Sequence, residues 1–290
     1  MKLSEINIRD PFILPFDGMY YMYSYAITSD NKNGFQYYTS TDLENWTEPE
    51  ICFLQNDDFW SDREYWAPEV HKYNGKFYLF ATFHSENRVR TVQILKADKP
   101  CGPFEVWSNP ITPDDQMCLD GTLYVENGTP YMVYCHEWVQ CTDGEMYLAE
   151  LTNDLKNAKG KPSLLFKASK SGWAEKLGNE ADSGIITDGP FIHKTSYGHL
   201  VMTWSSFKND IYAVGVAVSQ TGSIKGPWKH YSEPLLHNNS GHGMMFKSFD
   251  GEMIFAVHGP NYPPGEERAA FYRYIETEEF PYIRLEQINL

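Results

Sequence analysis

The sequence has no long apolar run. No stretch approaches the roughly 18 consecutive apolar residues that a membrane-spanning helix needs. Residues 1–5 also lack the apolar segment of a secretory signal. We therefore expect a cytoplasmic protein without a membrane partner, or a secreted or periplasmic protein if a signal segment was removed from the chain.

Basic residues are few. The chain has 24 Lys and Arg against 39 Asp and Glu, which gives a formal net charge of −15 at pH 7. A surface this acidic repels the phosphates of nucleic acids and of anionic lipids. Nucleic acid is therefore not an expected partner, whereas the oligomeric state is left open by the composition.

Cysteine is sparse and shows no pairing pattern. The five cysteines are Cys52, Cys101, Cys118, Cys135 and Cys141. Their number is odd, and they form no Cys-x-x-Cys pair or zinc-binding spacing. A chain of 290 residues needs no disulfide scaffold, so free thiols are expected.

Aromatic side chains, in contrast, are abundant. Phe, Trp and Tyr make up 16% of the chain, and hydrophobic residues make up 42%. This is the composition of a folded chain with a core, and aromatic residues favour β-strands. Most of the rings are expected in that core, but a sugar's C–H face also packs well on an aromatic ring.

Five segments of the chain share one design. Each has a short opening motif, then a turn with glycine, then a strand rich in Tyr, Phe, Met and Val. The opening motifs are Asp10-Pro11-Phe12-Ile13, Ala67-Pro68-Glu69-Val70, Asp120-Gly121-Thr122-Leu123, Asp188-Gly189-Pro190-Phe191 and His242-Gly243-Met244-Met245. In four of the segments the turn is Asn-Gly or Asp-Gly, which is the strongest short-range signal of a β-hairpin.

The spacing of the motifs predicts the fold. They begin at positions 10, 67, 120, 188 and 242, which leaves room for two more strands after each hairpin. Further strands are visible, for example in residues 146–151 and 212–218. Five units of four antiparallel strands, without helical periodicity of useful length, predict an all-β, five-bladed β-propeller. No linker divides the chain, so we expect a single domain over residues 1–290.

The first residues of the five motifs form a candidate active site. The first strand of each blade lines the central channel of a propeller, so Asp10, Ala67, Asp120, Asp188 and His242 are expected to converge on the axis. Clustered carboxylates repel one another and are costly to desolvate, which favours a chemical role. The structural alternative is that each Asp satisfies backbone amides of a local turn.

These motifs resemble glycoside hydrolase family 43. The resemblance extends over essentially the whole chain and is specific because Asp-Pro-Phe and Trp-Ala-Pro-Glu-Val occur together. It is carried by Arg9-Asp10-Pro11-Phe12-Ile13, Trp66-Ala67-Pro68-Glu69-Val70, Leu119-Asp120-Gly121, Asp188-Gly189-Pro190-Phe191 and Gly241-His242-Gly243. The resemblance implies an inverting hydrolase that needs no cofactor and cleaves arabinofuranosyl, xylosyl or related bonds in oligosaccharides or polysaccharides.

By the same resemblance, Asp10 is the general base and Asp120 tunes the pKa of the general acid and orients it. The family's acid is normally a Glu in a Glu-Gly-Pro motif, where this chain has the shorter Asp188. Either Asp188 or Glu137, at the end of the second strand of unit three, is then the acid, and we favour Asp188. The altered motif also fits an alternative function, a sugar-binding propeller that has lost catalysis.

Several further residues are candidates for substrate contacts. Trp66 and Trp138 are candidate sugar platforms, and His136 is a candidate hydrogen-bond partner; packing is the alternative for all three. Glu69 follows Ala67 by two residues, so strand alternation predicts both on the pocket side, with an ion pair between blades as the alternative.

The last candidates belong to the fifth unit. His258 and Arg268 begin and end a segment dense in Pro and Gly, and each is a candidate substrate contact, with ion pairing as the alternative. In the family resembled, the histidine that matches His242 often lies near a bound calcium or similar ion. One histidine without clustered oxygen ligands does not make a calcium site, so an ion on the axis stays open.

Overall fold

The computed structural model describes residues 1–178 and 183–288 and contains five antiparallel sheets arranged as the blades of a propeller. Blade one is β1 (Phe12–Phe16), β2 (Met19–Ile27), β3 (Asn33–Ser40) and β4 (Glu50–Leu54). Blade two is β5 (Arg63–Tyr73), β6 (Lys76–Ser85), β7 (Arg88–Ala97) and β8 (Glu105–Val106). Blade three is β9 (Cys118–Glu126), β10 (Thr129–His136), β11 (Glu145–Glu150) and β12 (Ser163–Lys167).

Blade four is β13 (Asp188–Lys194), β14 (Leu200–Lys208), β15 (Ile211–Ser219), β16 (Trp228–His230) and β17 (Leu236–His237). Blade five is β18 (Gly241–Lys247), β19 (Met253–Gly259), β20 (Arg268–Glu276) and β21 (Ile283–Gln287). The predicted five-bladed propeller is confirmed, with one addition in blade four. There β16 and β17 pair with different parts of β15, so the outermost strand is divided in two.

Helix is confined to single turns in the described part of the chain. The 3₁₀ turns are Leu3–Glu5 and Ala168–Ser171, and α1 is Trp138–Cys141. None of the helices described is long and apolar enough to cross a membrane. The five cysteines are free, as the sequence predicts.

The hairpin turns form where the sequence predicts them. Asn74 and Gly75 connect β5 to β6 with φ of 46° and 77°, the pair of positive angles that a type I′ turn requires. Asn127 and Gly128 repeat these angles between β9 and β10. This turn twists the two strands in the same sense as the sheet, so each motif is followed directly by its antiparallel partner.

The core lies in the seams between neighbouring blades. Tyr78 and Phe80 of blade two pack with Met132 and Tyr134 of blade three, and all four side chains are buried. Equivalent clusters join blades three and four, blades four and five, and blade one to both its neighbours. Burial of these faces holds the blades at fixed angles around the axis.

The N-terminal segment closes the ring against blade five. The Ile8 N–H donates to the Glu267 carbonyl at 3.0 Å, and the Asn7 side chain donates to the Gly265 carbonyl at 2.8 Å. Arg268, predicted as a substrate contact, donates through Nε to the Ser4 carbonyl at 2.9 Å. The side chain therefore joins the two ends of the propeller, and the substrate contact of Arg268 stays a prediction.

The inner strands of blades two to five share a bulge of one residue. In blade three, for example, Leu119 pairs with Cys135 and Thr122 pairs with Val133, so three steps on β9 match two on β10. The same shift occurs in the other three blades. The residue just after the first pair has positive φ in every case. These residues are Ala67, Asp120, Gly189 and His242, with Asp10 at the same place in blade one.

This alignment corrects the sequence analysis in blade four. The residue equivalent to Asp10 and Asp120 is Gly189, with φ of 47°, and not Asp188. Asp188 pairs with Ser205 and is equivalent to Leu119 of blade three. The physical reason for glycine is His242, whose Cγ would lie 2.7 Å from a Cβ placed on Gly189.

We expect Gly189→Ala to lower the free energy of unfolding by about 1–3 kcal/mol, because the new methyl group meets His242 and positive φ strains alanine. Urea unfolding followed by tryptophan fluorescence measures the change. Ala67→Gly is the matched control at the equivalent bulge and should change stability by less than about 1 kcal/mol. An unchanged urea midpoint for Gly189→Ala would contradict this account of the bulge.

Candidate active site

A cavity of about 510 Å³ opens where the five inner strands begin. This volume lies in the usual range of small-molecule sites, roughly 300–1,000 Å³. Seven of the residues predicted from the sequence line it: Asp10, Trp66, Asp120, Glu137, Trp138, Asp188 and His242. Residues far apart in the sequence therefore meet at one cavity. The end of β10 also returns to this side of the propeller, so that Glu137 lines the same cavity as Asp120.

The bulges hold the cavity residues through their backbone. A bulge removes the N–H of the positive-φ residue from the strand ladder, and a side chain on the second strand of the preceding blade can accept it. Thr82 Oγ1 accepts from Asp120 at 3.1 Å, and Ser205 Oγ accepts from His242 at 2.8 Å. The Gly189 N–H donates instead to Asp120 Oδ2 at 2.9 Å. Asp120, Gly189 and His242 are thus each held by a neighbouring blade.

Asp10 is surrounded by cationic or potentially cationic groups. Its Oδ1 lies 3.0 Å from His258 Nδ1 and 3.2 Å from His242 Nδ1. Burial alone would raise the pKa of Asp10, but His242, His258 and Arg9 outweigh it and hold that pKa well below its ordinary value. Asp10 is therefore a carboxylate near neutral pH.

Asp120 and Asp188 have the opposite environment. Burial, assisted by the charges of Asp188 and Asp10 and partly offset by His242, raises the pKa of Asp120 to about 8. Burial also raises the pKa of Asp188, although His242 and a hydrogen bond from Tyr212 oppose it. The two carboxyls titrate as a pair, so protonated carboxyl is retained between them near neutral pH.

Tyr212 on β15 fixes one oxygen of Asp188. Its hydroxyl donates to Asp188 Oδ2 at 3.0 Å, and its side chain is 1% exposed. A Cβ on Gly241 would lie 2.2 Å from the Tyr212 ring, so the glycine allows the tyrosine to reach Asp188. No sequence signal marks Tyr212, because it lies on the third strand of its blade, away from every motif.

Glu137 contributes a further carboxyl, held by an arginine. Arg90 pairs with Glu137 and with Glu64, whose Oε2 accepts from Arg90 Nε at 2.5 Å, and its guanidinium lies 4.6 Å from the centre of the Trp66 ring. Burial, countered by Arg90 and assisted by the negative charge of Asp188, raises the pKa of Glu137 to about 7. Glu137 is thus ion-paired but readily protonated.

The family can now be assigned. A model of the family described as Glycosyl hydrolases family 43 matches residues 3–277. The chain belongs to this family. The assignment agrees with the cavity, in which the motif carboxylates meet.

Solved and curated relatives agree with the family. An endo-arabinase structure from Bacteroides thetaiotaomicron has a TM-score of 0.90 and 37% identity, covering 96% of this chain and 98% of that one. Xylosidase/arabinosidase 43A of Humicola insolens is 27% identical over 157 residues, 48% of this chain and 47% of the relative. An extracellular exo-α-(1→5)-L-arabinofuranosidase of Streptomyces avermitilis is 24% identical over 219 residues, 68% and 43%.

The matches span less than half the length of these two curated relatives. One of these relatives is named extracellular, whereas we expect a cytoplasmic protein unless a signal segment was removed. The location of this family 43 chain therefore stays a prediction.

Two predicted pocket residues lie outside the cavity. Glu69 pairs with His71, with Oε2 2.8 Å from Nε2, because the bulge between Trp66 and Glu69 breaks the alternation on which the prediction depended. His136 Nδ1 contacts Glu145 Oε2 at 2.8 Å, and its Nε2 contacts Gln140 Oε1 at 2.9 Å. Each side chain is turned to a protein partner, and the substrate contacts of Glu69 and His136 stay predictions.

His258 is also absent from the cavity wall, but it reaches the site through Asp10. Its side chain has no exposed surface. Its Nδ1 faces Asp10, and the substrate contact of His258 stays a prediction. Arg9, Tyr25, Tyr212 and Glu267 line the cavity and were not predicted. Only Arg9 had a sequence signal, because it directly precedes Asp10.

The surroundings of His242 do not favour a protein-bound ion. Its Nδ1 faces Asp10 Oδ1 at 3.2 Å and Asp120 Oδ2 at 3.6 Å, which is an arrangement for a shared proton. Across residues 1–178 and 183–288, the one set of His, Cys, Asp or Glu atoms close enough to share a metal is His136, Cys141 and Glu145. An ion at His242 therefore stays a sequence prediction.

We expect Arg90→Met to raise the pKa of Glu137 above about 7, because the arginine is the group that lowers it. A carbon-13 NMR titration of the glutamate carboxyls measures the pKa, with Glu137→Gln identifying the signal. Arg88→Met is the matched control, since Arg88 lies on the same strand and pairs with the exposed Asp114. Equal pKa values in both variants would contradict the assigned role of Arg90.

Proposed function

We propose that this family 43 protein hydrolyses O-glycosyl bonds of arabinofuranosyl, xylosyl or related sugars with inversion at the anomeric carbon. Asp10 acts as general base, Asp188 as general acid and Asp120 as modulator of the acid. The single observation that carries this proposal is the opposed electrostatics of one cavity, which lowers the pKa of Asp10 and raises those of Asp120 and Asp188. An inverting hydrolase needs such a pair, one carboxylate and one carboxylic acid.

The positive charge around Asp10 supports its role as the general base. A carboxylate that deprotonates water must be ionised at working pH, and His242, His258 and Arg9 favour that form. Both imidazole contacts are made to Oδ1. Oδ2 is therefore the oxygen we assign to the attacking water.

Asp188 and Glu137, the two candidates for the general acid, differ in the groups that bind them. Arg90 pairs with Glu137 and favours its ionised form against burial, so Glu137 holds a proton for donation only below about pH 7. Asp188 receives a neutral hydroxyl donor, Tyr212, at Oδ2. Because that oxygen acts as an acceptor, the proton of the acid form belongs on Oδ1, where it is free for the leaving oxygen.

Asp120 supports the acid through its charge and position. It accepts the N–H of Gly189, the residue that follows Asp188, so it holds the backbone of the acid. Loss of the proton from Asp188 places a second charge beside Asp120, which raises the free energy of that state. The chemistry needs no cofactor. Negative charge in the cavity also stabilises the cationic sugar of the transition state.

Arabinan is the first substrate to test, because the solved relative with 37% identity over nearly the whole of both chains is named an endo-arabinase. The aromatic rings of Trp66 and Trp138 on the cavity wall support binding of sugar C–H faces. A sugar-binding propeller without turnover is the second candidate, favoured by the shorter Asp188 in place of the usual Glu. Arabino-oligosaccharide binding by calorimetry without product after days would favour it over hydrolysis.

We expect the acid and base variants to respond differently to the leaving group. Asp10→Asn should lose at least about 10³-fold in kcat/KM on every substrate, because water is no longer activated. Asp188→Asn should lose about 10²- to 10⁴-fold on oligosaccharides but little on dinitrophenyl glycosides, whose leaving group needs no proton. Glu137→Gln is the matched control. If it shows that leaving-group pattern instead of Asp188→Asn, Glu137 is the acid.

The stereochemical course is a separate expectation. Proton NMR of the first turnovers should detect the anomer opposite in configuration to the cleaved bond, before mutarotation mixes the two forms. Attack by water on the face opposite the leaving group requires this result. Appearance of the retained anomer first would overturn the roles given to Asp10 and Asp188.

A further inference from the structure

His258 is a fully buried polar group next to the reaction centre, and the proposed mechanism leaves its second nitrogen unexplained. The imidazole has no exposed surface and stacks on the Tyr212 ring, with centroids 5.7 Å apart and planes 22° apart. Its Nδ1 faces Asp10, whereas its Nε2 lies 3.1 Å from Asn261 Oδ1. The contact with Asn261 decides which nitrogen of His258 carries a proton.

The orientation of the Asn261 amide follows from Arg9. Arg9 Nη2 lies 2.5 Å from Asn261 Oδ1, and a guanidinium has donors only, so the amide atom there must be the oxygen. His258 Nε2 meets the same oxygen and must therefore be the N–H of the ring. The Asn261 backbone is held as well, because its N–H donates to the Asn239 carbonyl at 2.6 Å.

We propose that Asn261, held by Arg9, is a positioning residue that keeps the His258 proton on Nε2 and commits Nδ1 to the general base Asp10. This inference rests on the proposed role of Asp10. Because Nε2 already carries a proton, a proton on Nδ1 makes the ring an imidazolium. The neutral ring cannot supply one by exchanging tautomers while Asn261 accepts from Nε2.

Nδ1 then has two states with different effects on Asp10. Without a proton it accepts the Asp10 backbone N–H, which lies 3.3 Å away, and turns a lone pair toward the carboxylate. With a proton it donates to Oδ1 at 3.0 Å and adds a buried positive charge. The second state stabilises ionised Asp10, in line with the lowered pKa of that carboxyl.

Other charged groups also act on this pair. His242 contacts the same Asp10 oxygen, and the carboxyls of Asp120 on blade three and Asp188 on blade four interact with Asp10 through charge. Tyr212 covers one face of the His258 ring. Glu267 pairs with Arg9 Nη1 at 3.3 Å, whereas Nη2 of the same guanidinium donates to Asn261 Oδ1. None of these groups contacts Nε2, so a change at Asn261 tests that nitrogen specifically.

The test is the pH dependence of kcat/KM for Asn261→Leu, with Asn261→Asp as a matched control that keeps an acceptor oxygen. Loss of the acceptor weakens the imidazolium, so the pKa of Asp10 rises and the acid limb moves to higher pH. We expect a shift of about one pH unit for Asn261→Leu, which is about a tenfold loss of activity below that limb. Asn261→Asp should stay within about half a unit of the parent. Equal shifts in the two variants, or an unmoved limb with activity lowered at all pH values, would overturn the proposal.

A second readout does not depend on activity. Nitrogen-15 NMR of the histidine rings should place the His258 proton on Nε2 in the parent protein. In Asn261→Leu the proton should exchange between the two ring nitrogens. The variant His258→Gln identifies the signals. One unchanged tautomer in all variants would also overturn the inference. Asp10→Asn distinguishes a failure of the proposed function from a failure of the role of Asn261. Activity that survives Asp10→Asn overturns the proposed function, whereas an inactive Asp10→Asn with an unmoved limb in Asn261→Leu overturns only the role of Asn261.

Discussion

The site depends on one backbone feature, the one-residue bulge at the start of the inner strands. A regular strand would turn alternate side chains to opposite faces and keep every N–H in its own ladder. The bulge puts one residue per blade at positive φ, directs it to the axis and frees its N–H. Thr82 and Ser205 of the preceding blades then accept that N–H for Asp120 and His242. The positions of the cavity residues therefore depend on contacts between blades as well as on the strands that carry them.

Electrostatic division of the cavity follows from this packing. Blade five supplies two histidines on the Asp10 side, and blades three and four supply the paired carboxyls Asp120 and Asp188. Burial would raise the pKa of all three aspartates if they were alone. The contacts of His242 and His258 with its Oδ1, together with the charge of Arg9, make Asp10 differ from the others. A fixed distribution of charge thus separates one carboxylate from a pair of carboxyls that retains a proton, within a single cavity.

The sequence could predict the fold because the signals are local and repeated. Asn74-Gly75 and the other turns specify hairpins, and five copies of one motif specify the blades. Residue roles were harder, for two physical reasons. Side-chain alternation fails at a bulge, which moved Glu69 out of the pocket and shifted the equivalence of Asp188 by one residue. Contacts such as Arg90 with Glu137 join residues far apart in sequence that no motif marks.

The short acid of the proposed mechanism has a structural counterpart in Tyr212 and Gly241. In a carboxylic acid the two oxygens differ, and a donor that occupies one leaves the proton on the other. Tyr212 donates to Asp188 Oδ2 and can reach it only because position 241 has no Cβ. The same ring covers His258, which contacts Asp10. One buried tyrosine therefore contacts both halves of the site, so the orientation of the acid and the environment of the base depend on the same seam between blades four and five.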